Sequence, residues 1–179
     1  SVHNIVASRS EVAPQIIIGA HYDSRLLADR DPGPGRNGPV PGANDGASGV
    51  AVLLELARSL PSDSIAVWLV FFDAEDNGGL DSRQWIMGSR AFVTTLSVKP
   101  QAVVIVDMVG DSDLNLYFEQ NSDPTLSAEI WAQAAALGYG KYFIATSKYE
   151  LIDDHIPFLE EGIPVVDIID FDYPYWHTA

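Results

Sequence analysis

Apolar residues along this chain fall into two kinds of block, and their alternation predicts a fold. Gln15-Ile16-Ile17-Ile18-Gly19-Ala20, Ile65 to Phe72, Ala102 to Val106 and Ile163 to Ile169 are runs of bulky residues with few polar interruptions, the composition of strands buried on both faces. Between them, apolar residues return at helical spacing. After Gly42-Ala43-Asn44-Asp45-Gly46-Ala47-Ser48-Gly49 a helix runs to about Leu60, with Val50, Leu53, Leu54, Ala57 and Leu60 on one stripe and Pro61 as its stop. Ser89 to Leu96 also reads as helix. So does the stretch from Asp123-Pro124, a cap followed by proline at the first helical position, to Leu137-Gly138. Asp153 to Glu161 predicts a short helix ended by Gly162, and weaker strand signals cover Asn4 to Ser8, Leu114 to Glu119 and Lys141 to Thr146. Leu26 to Pro41, with four prolines and three glycines, is a loop that at this length is either functional or mobile. Strands alternating with amphipathic helices make an α/β protein with a largely parallel sheet, mixed at its first edge. No repeat, low-complexity tract or second boundary appears, so residues 1–179 are expected to form one domain.

The strands end in chemistry. The central one, Val67-Trp68-Leu69-Val70-Phe71-Phe72, runs into Asp73-Ala74-Glu75-Asp76 and an Asn77-Gly78-Gly79 turn. Taken alone, that reads as a solvated acidic turn. The others do the same: one ends in His21-Tyr22-Asp23-Ser24, one in Asp107, and the last leads through Phe171-Asp172-Tyr173-Pro174-Tyr175-Trp176 to His177. His21 is also readable as an ordinary hydrogen-bonded histidine, and Asp45 as a helix N-cap, which Asp favours. Small residues on both sides of Asp45 clear space that a cap does not need, and Asp23 is placed to fix the tautomer of His21. If the strands are parallel, His21, Asp45, Glu75, Asp76, Asp107 and His177 converge beyond their carboxyl ends, where ligands gather in such sheets. A set of carboxylates with two histidines and no lysine repels itself unless a cation is held there.

Composition narrows the cation. The chain has no cysteine, so any metal must be bound by His, Asp and Glu. Zinc accepts imidazole and carboxylate together and leaves a position open in catalytic sites, whereas histidine is a poor ligand for the competing calcium. Ten basic against 25 acidic residues, a net charge of −15, argue against a nucleic-acid or anionic-membrane partner. The same charge attracts the protonated amino end of a peptide, though solubility alone explains most surface acids. No apolar run has membrane-spanning length, and neither a glycine-rich phosphate loop nor a serine nucleophile elbow is found. The chain begins at Ser1 and stops at Trp176-His177-Thr178-Ala179. A trimmed chain is therefore expected, in a secreted or periplasmic setting if a signal sequence has been removed.

His21-Tyr-Asp-Ser, Gly42-Ala-Asn-Asp-Gly-Ala-Ser-Gly, Phe71-Phe-Asp-Ala-Glu-Asp, Gly88-Ser-Arg, Val106-Asp-Met-Val-Gly, Asp153-Asp-His-Ile-Pro-Phe and Trp176-His-Thr resemble, in order, the zinc aminopeptidase family that also contains the glutaminyl cyclases. The resemblance implies a three-layer α/β/α sandwich and a zinc ion held by Asp45, Asp76 and His177, with Glu75 as general acid/base. In the aminopeptidase branch His21 and Asp107 bind a second zinc that Asp45 bridges, and zinc-activated water attacks the first peptide carbonyl. In the cyclase branch there is one zinc, and Glu75, Asp107 and Asp153 form a proton-sharing carboxylate group. There the substrate's own α-amine attacks the side-chain amide of an N-terminal glutamine and ammonia leaves. That chemistry needs no water, so an aromatic wall would favour it. Phe171, Tyr173, Tyr175 and Trp176, with Trp85, could form one or could simply pack their loops. The Asp153 motif, the long loop before Asp45 and the Glu75-Asp76 pair, where most of the family carries Glu-Glu, look like bacterial cyclases. The resemblance therefore favours a glutaminyl-peptide cyclotransferase acting on peptides with a free N-terminus. A zinc aminopeptidase is the alternative, and a metal-free binding module of the same fold the third reading. The family continues past Trp-His-Thr into further helix, so truncation at the C-terminus is expected.

Overall fold

Ile17 and Ile18 are neighbours that point to opposite faces of a sheet, and each joins its own hydrophobic layer. The computed structural model describes residues 1–61 and 65–179; Ser62 to Ser64, just before the expected strand start at Ile65, lie outside the described residues. Along the chain come β1 (Ile5–Ser8), β2 (Ile16–His21), α1 (Ala47–Ser59), β3 (Val67–Phe72), α2 (Met87–Val93), β4 (Ala102–Asp107), β5 (Leu116–Glu119), α3 (Pro124–Ala136), β6 (Phe143–Tyr149), α4 (Ile156–Glu160) and β7 (Val165–Ile169). Among the described residues the main sheet has the order β1-β3-β2-β4-β7. Only β1, at the edge, runs antiparallel to its neighbour.

One face carries Ile17, Val70, Phe72, Val103, Ile105 and Val165 against Phe92 of α2 and Phe158 of α4. On the other, Leu53 and Leu56 of α1 cover Ala20 and Leu69. Trp131 of α3 packs on Val166 and Leu116. Helices on both faces make the expected α/β/α sandwich. Gly49 lets α1 lie close, since a Cβ there would sit 2.2 Å from the Val106 carbonyl oxygen.

Several details differ from the expectations. The buried line of α1 is Gly49, Leu53 and Leu56, while Leu54 is 55% exposed and Ala57 also faces outward. The stripe drawn through Leu54 was too wide, because successive helical residues turn by about 100° and position 54 leaves the sheet when 53 faces it. β5 and β6 do not extend the main sheet but form a parallel pair of their own beside β7. Asp153 and Asp154 precede α4 instead of lying in it. The loop 26–41 is packed: Ala28 is fully buried, and Val40 donates its N–H to Arg25 O at 2.9 Å.

The candidate metal centre and its cavity

His21 is the last residue of β2 and Asp107 the last of β4, so parallel pairing of these neighbours puts the two side by side. On the other side of β2 the chain leaves β3 through Ala74, a non-glycine residue at φ 55°. Asp23 holds this turn, its carboxylate accepting from Glu75 N at 3.0 Å, Asp76 N at 3.3 Å and Asn77 Nδ2 at 3.1 Å. Its backbone oxygen lies 3.1 Å from His21 Nδ1, which favours the proton on Nδ1 and leaves Nε2 facing the rim. Before α1, Gly46 takes φ 92°, and a Cβ there would come within 2.8 Å of Asp23 O and 3.1 Å of His21 Cε1. Gly46, not Asp45, is the N-cap of α1, and no side chain caps that end. This corrects the capping reading: the Asp45 carboxylate turns toward two histidines instead.

Asp45, Asp76 and His177, from three distant stretches, meet with ligand atoms within 4.8 Å of one another. His177 Nε2 is 2.8 Å from Asp76 Oδ1 and 3.8 Å from Asp45 Oδ2. Zinc–donor bonds of roughly 2.0–2.2 Å in a tetrahedron imply donors about 3.3–3.6 Å apart, within the spread seen here. Asp45 Oδ2 and Asp76 Oδ2 are buried without a hydrogen-bond partner, as expected of oxygens reserved for a cation. Asp76, one methylene shorter than glutamate, reaches the point. A second group shares Asp45: His21 Nε2 stands 3.1 Å from both Asp45 Oδ1 and Asp107 Oδ1. The donor set and spacing fit zinc at the first group and permit a cation at the second.

A third buried group was missed from the sequence. His155 lies with Nδ1 3.5 Å from Asp167 and Nε2 3.3 Å from Glu119, behind Asp153. The signal was the Asp153-Asp154-His155 triplet, which carries Asp153 into the resemblance but gives no sign that His155 meets Asp167 and Glu119.

Burial pushes the Glu75 carboxyl well above the usual range; Asp153, Asp154 and Asp76 add to this and His21 opposes it. Asp107 is pushed up to about 7 by burial, against the pull of His21. Burial disfavours charge on His21, but Asp107, Asp23 and Asp45 together hold its pKa well above that of an ordinary histidine. Carboxyls in this arrangement share protons, and a divalent cation would draw them toward the ionised form.

A cavity of about 270 Å³ opens over the cluster, lined by Asp45, Glu75, Asp76, Asp107 and Asp153 and walled by Trp85, Phe171 and Trp176. Met108, Ile169, Leu151 and Ile152 complete its apolar lining, with Glu150 at the same wall; none of these was read from the sequence. Trp85 lies parallel to the His177 ring at 6.1 Å, and Trp176 packs on it at 3.8 Å. Tyr173, expected in the wall, is not in the lining: its ring packs edge-on against Tyr175, which is 64% exposed. Its ring is engaged in that contact, and Phe171 and Trp176 supply the aromatic lining from this loop. A larger groove of about 640 Å³ between β1 and the end of α1 is lined, among the described residues, without any His, Asp or Glu.

The family model for Peptidase family M28 matches residues 2–179. Glutaminyl cyclase from Porphyromonas gingivalis superposes with a TM-score of 0.90 at 38% identity, covering 99% of this chain and 68% of that one. A Zn-dependent exopeptidase from Parabacteroides distasonis gives 0.90 at 33% identity, covering 99% and 69%. Glutaminyl-peptide cyclotransferase of Bos taurus is 27% identical over 222 residues, 99% of this chain and 59% of that protein. The chain thus spans about three-fifths of the length of the curated relatives it matches.

Proposed function

Because the chain belongs to peptidase family M28, we propose that it is a zinc enzyme of peptide amino termini, acting as a glutaminyl-peptide cyclotransferase. The observation that carries this reading is the meeting of Glu75, Asp107 and Asp153 in one small, aromatic-walled cavity beside Asp45, Asp76 and His177. The cyclase names among the similar structures and curated relatives support it.

Asp45, Asp76 and His177 would hold the zinc, which when bound polarises the side-chain amide carbonyl of the substrate as a Lewis acid. The remaining chemistry belongs to the chain. Glu75, whose carboxyl burial holds well above its usual range, takes a proton from the α-amine as its nitrogen bonds to the amide carbon, and passes it to the departing ammonia. Asp107, pushed up to about 7 by burial, and Asp153, whose charge disfavours ionised Glu75, line the same cavity and keep Glu75 ready to accept and return a proton. Trp85, Phe171 and Trp176 exclude the water that would otherwise compete with the amine. At about 270 Å³ the cavity suits one terminal residue better than an extended peptide.

A specific observation favours a second reading. The His21–Asp45–Asp107 group has the donors for another cation. A two-zinc site would make the protein an aminopeptidase, with water attacking the first peptide carbonyl and Glu75 as base. Zinc content per chain, measured beside ammonia release from a Gln-peptide and cleavage of an amino-acid anilide, separates the readings. One zinc with ammonia release is expected. Two zinc ions with anilide cleavage alone would overturn the cyclase in favour of the peptidase.

A further inference from the structure

Two of the three proposed ligands are gripped by one short stretch just after β2. Arg25, 4% exposed, donates from Nη1 to the carbonyl oxygen of Asp76 at 2.7 Å and of Gly78 at 3.3 Å. Its Nε and Nη2 form a two-pronged pair with Asp29 at 2.8 and 2.7 Å. Its guanidinium lies 4.9 Å over Trp85, the ring that stacks on His177. Asp29 Oδ1 in turn faces His177 Nδ1 at 3.7 Å, and Arg30 N donates to His177 O at 3.2 Å. His177 needs such a hold, because it adopts φ 57°, where residues other than glycine are strained.

We propose that Arg25, acting through Asp29, is a positioning residue that sets Asp76 and His177 for metal binding. This rests on the reading that Asp45, Asp76 and His177 hold zinc.

The geometry gives each contact a task. A carboxylate facing Nδ1 favours the proton on that nitrogen, so the Nε2 lone pair points at Asp45 and Asp76. Asp29 can hold that place only if it is itself oriented, and the planar Arg25 fork orients it. The other arm of the same guanidinium fixes the carbonyl of Asp76, so the turn after β3 and the turn at His177 are referred to one rigid group. Lysine, with a single ammonium, cannot make the fork and grip the turn at once. Sequence gave no hint of this: Arg25 sits at the mouth of a loop rich in proline and glycine, and its partners lie 51 and 53 residues away as well as four.

The test is zinc affinity of the purified chain, by competition with a chromophoric chelator, for wild type, Arg25→Lys and Asp29→Asn. Each variant is expected to bind zinc about 10–100-fold more weakly. The double variant should be little worse than the weaker single one, because both changes break one path. The melting temperature of chelator-treated Asp29→Asn should stay close to wild type, which a merely structural role for the pair would not produce together with lost affinity. If Arg25→Lys does not fold, Asp29→Asn decides alone. Tight zinc binding by wild type with unchanged affinity in the folded variants overturns the positioning role and leaves the zinc site standing. Wild type without zinc affinity overturns both.

Discussion

Replacing Glu75 with glutamine separates chemistry from metal binding and from folding. The side chain is 8% exposed and lines the cavity beside the proposed ligands without belonging to the Asp45–Asp76–His177 group. Glutamine has nearly the same shape, so the cavity should persist while the proton carrier is lost. General acid/base groups of this kind contribute about 10²–10⁴-fold, or about 3–5 kcal/mol in the barrier, and kcat for ammonia release should fall by that factor. Zinc content should not change. Stability should move the opposite way in chelator-treated protein. The Glu75 carboxyl is raised well above its ordinary value by burial and by neighbouring acids, so the folded state holds its proton more tightly than the unfolded chain. Stability is then lost as pH rises above the unfolded value near 4.5 toward the folded one, and Glu75→Gln abolishes that loss. The variant should melt at or above wild type at pH 7, with the difference vanishing below the unfolded value. Stopped assays of ammonia, zinc analysis and melting curves at two pH values suffice. Activity within about threefold of wild type would remove Glu75 from the proton path; loss of zinc would make it a ligand instead.

Other perturbations read other parts of the structure. Asp45→Asn should abolish tight zinc binding, because Asp45 belongs to both groups, whereas His21→Gln should leave one zinc bound; stoichiometry by elemental analysis checks both. The Glu119 carboxyl is opposed by burial but held below its usual range by His155 and by the Leu151 N–H. Its contribution is present above the unfolded value near 4.5 and lost as pH falls through the lower folded value, so Glu119→Gln should flatten the acid limb of stability against pH. Gly49→Ala would place a methyl 2.2 Å from Val106 O and 2.9 Å from the Ala20 Cβ. Overpacking of about 1–3 kcal/mol, seen as a fall of roughly 2–12 °C in melting temperature, is expected.

What the residue order determined by itself was the layering and the rim. Uninterrupted apolar runs mark strands that must be covered on both faces, and parallel strands covered by helices must end on the same side. His21, Glu75, Asp107 and the approach to His177 are therefore placed on one rim by the residue order alone. The cap of α3, with Asp123 accepting from Leu126 N at 2.8 Å, was legible for the same reason: its cause is local. What only the tertiary structure decided depends on partners far apart in the chain. The Asp45 carboxylate turns from capping α1 to face His21 and His177 because of the Gly46 turn and the β2 rim beside it. Of the aromatic residues expected in the wall, Trp85, Phe171 and Trp176 line the cavity while Tyr173 packs on Tyr175 instead, a choice made by contacts and not by spacing. Arg25, His155 and Asp167 acquire meaning only from groups that folding brings to them. Periodicity records which face a side chain occupies; it does not record whom that side chain meets there.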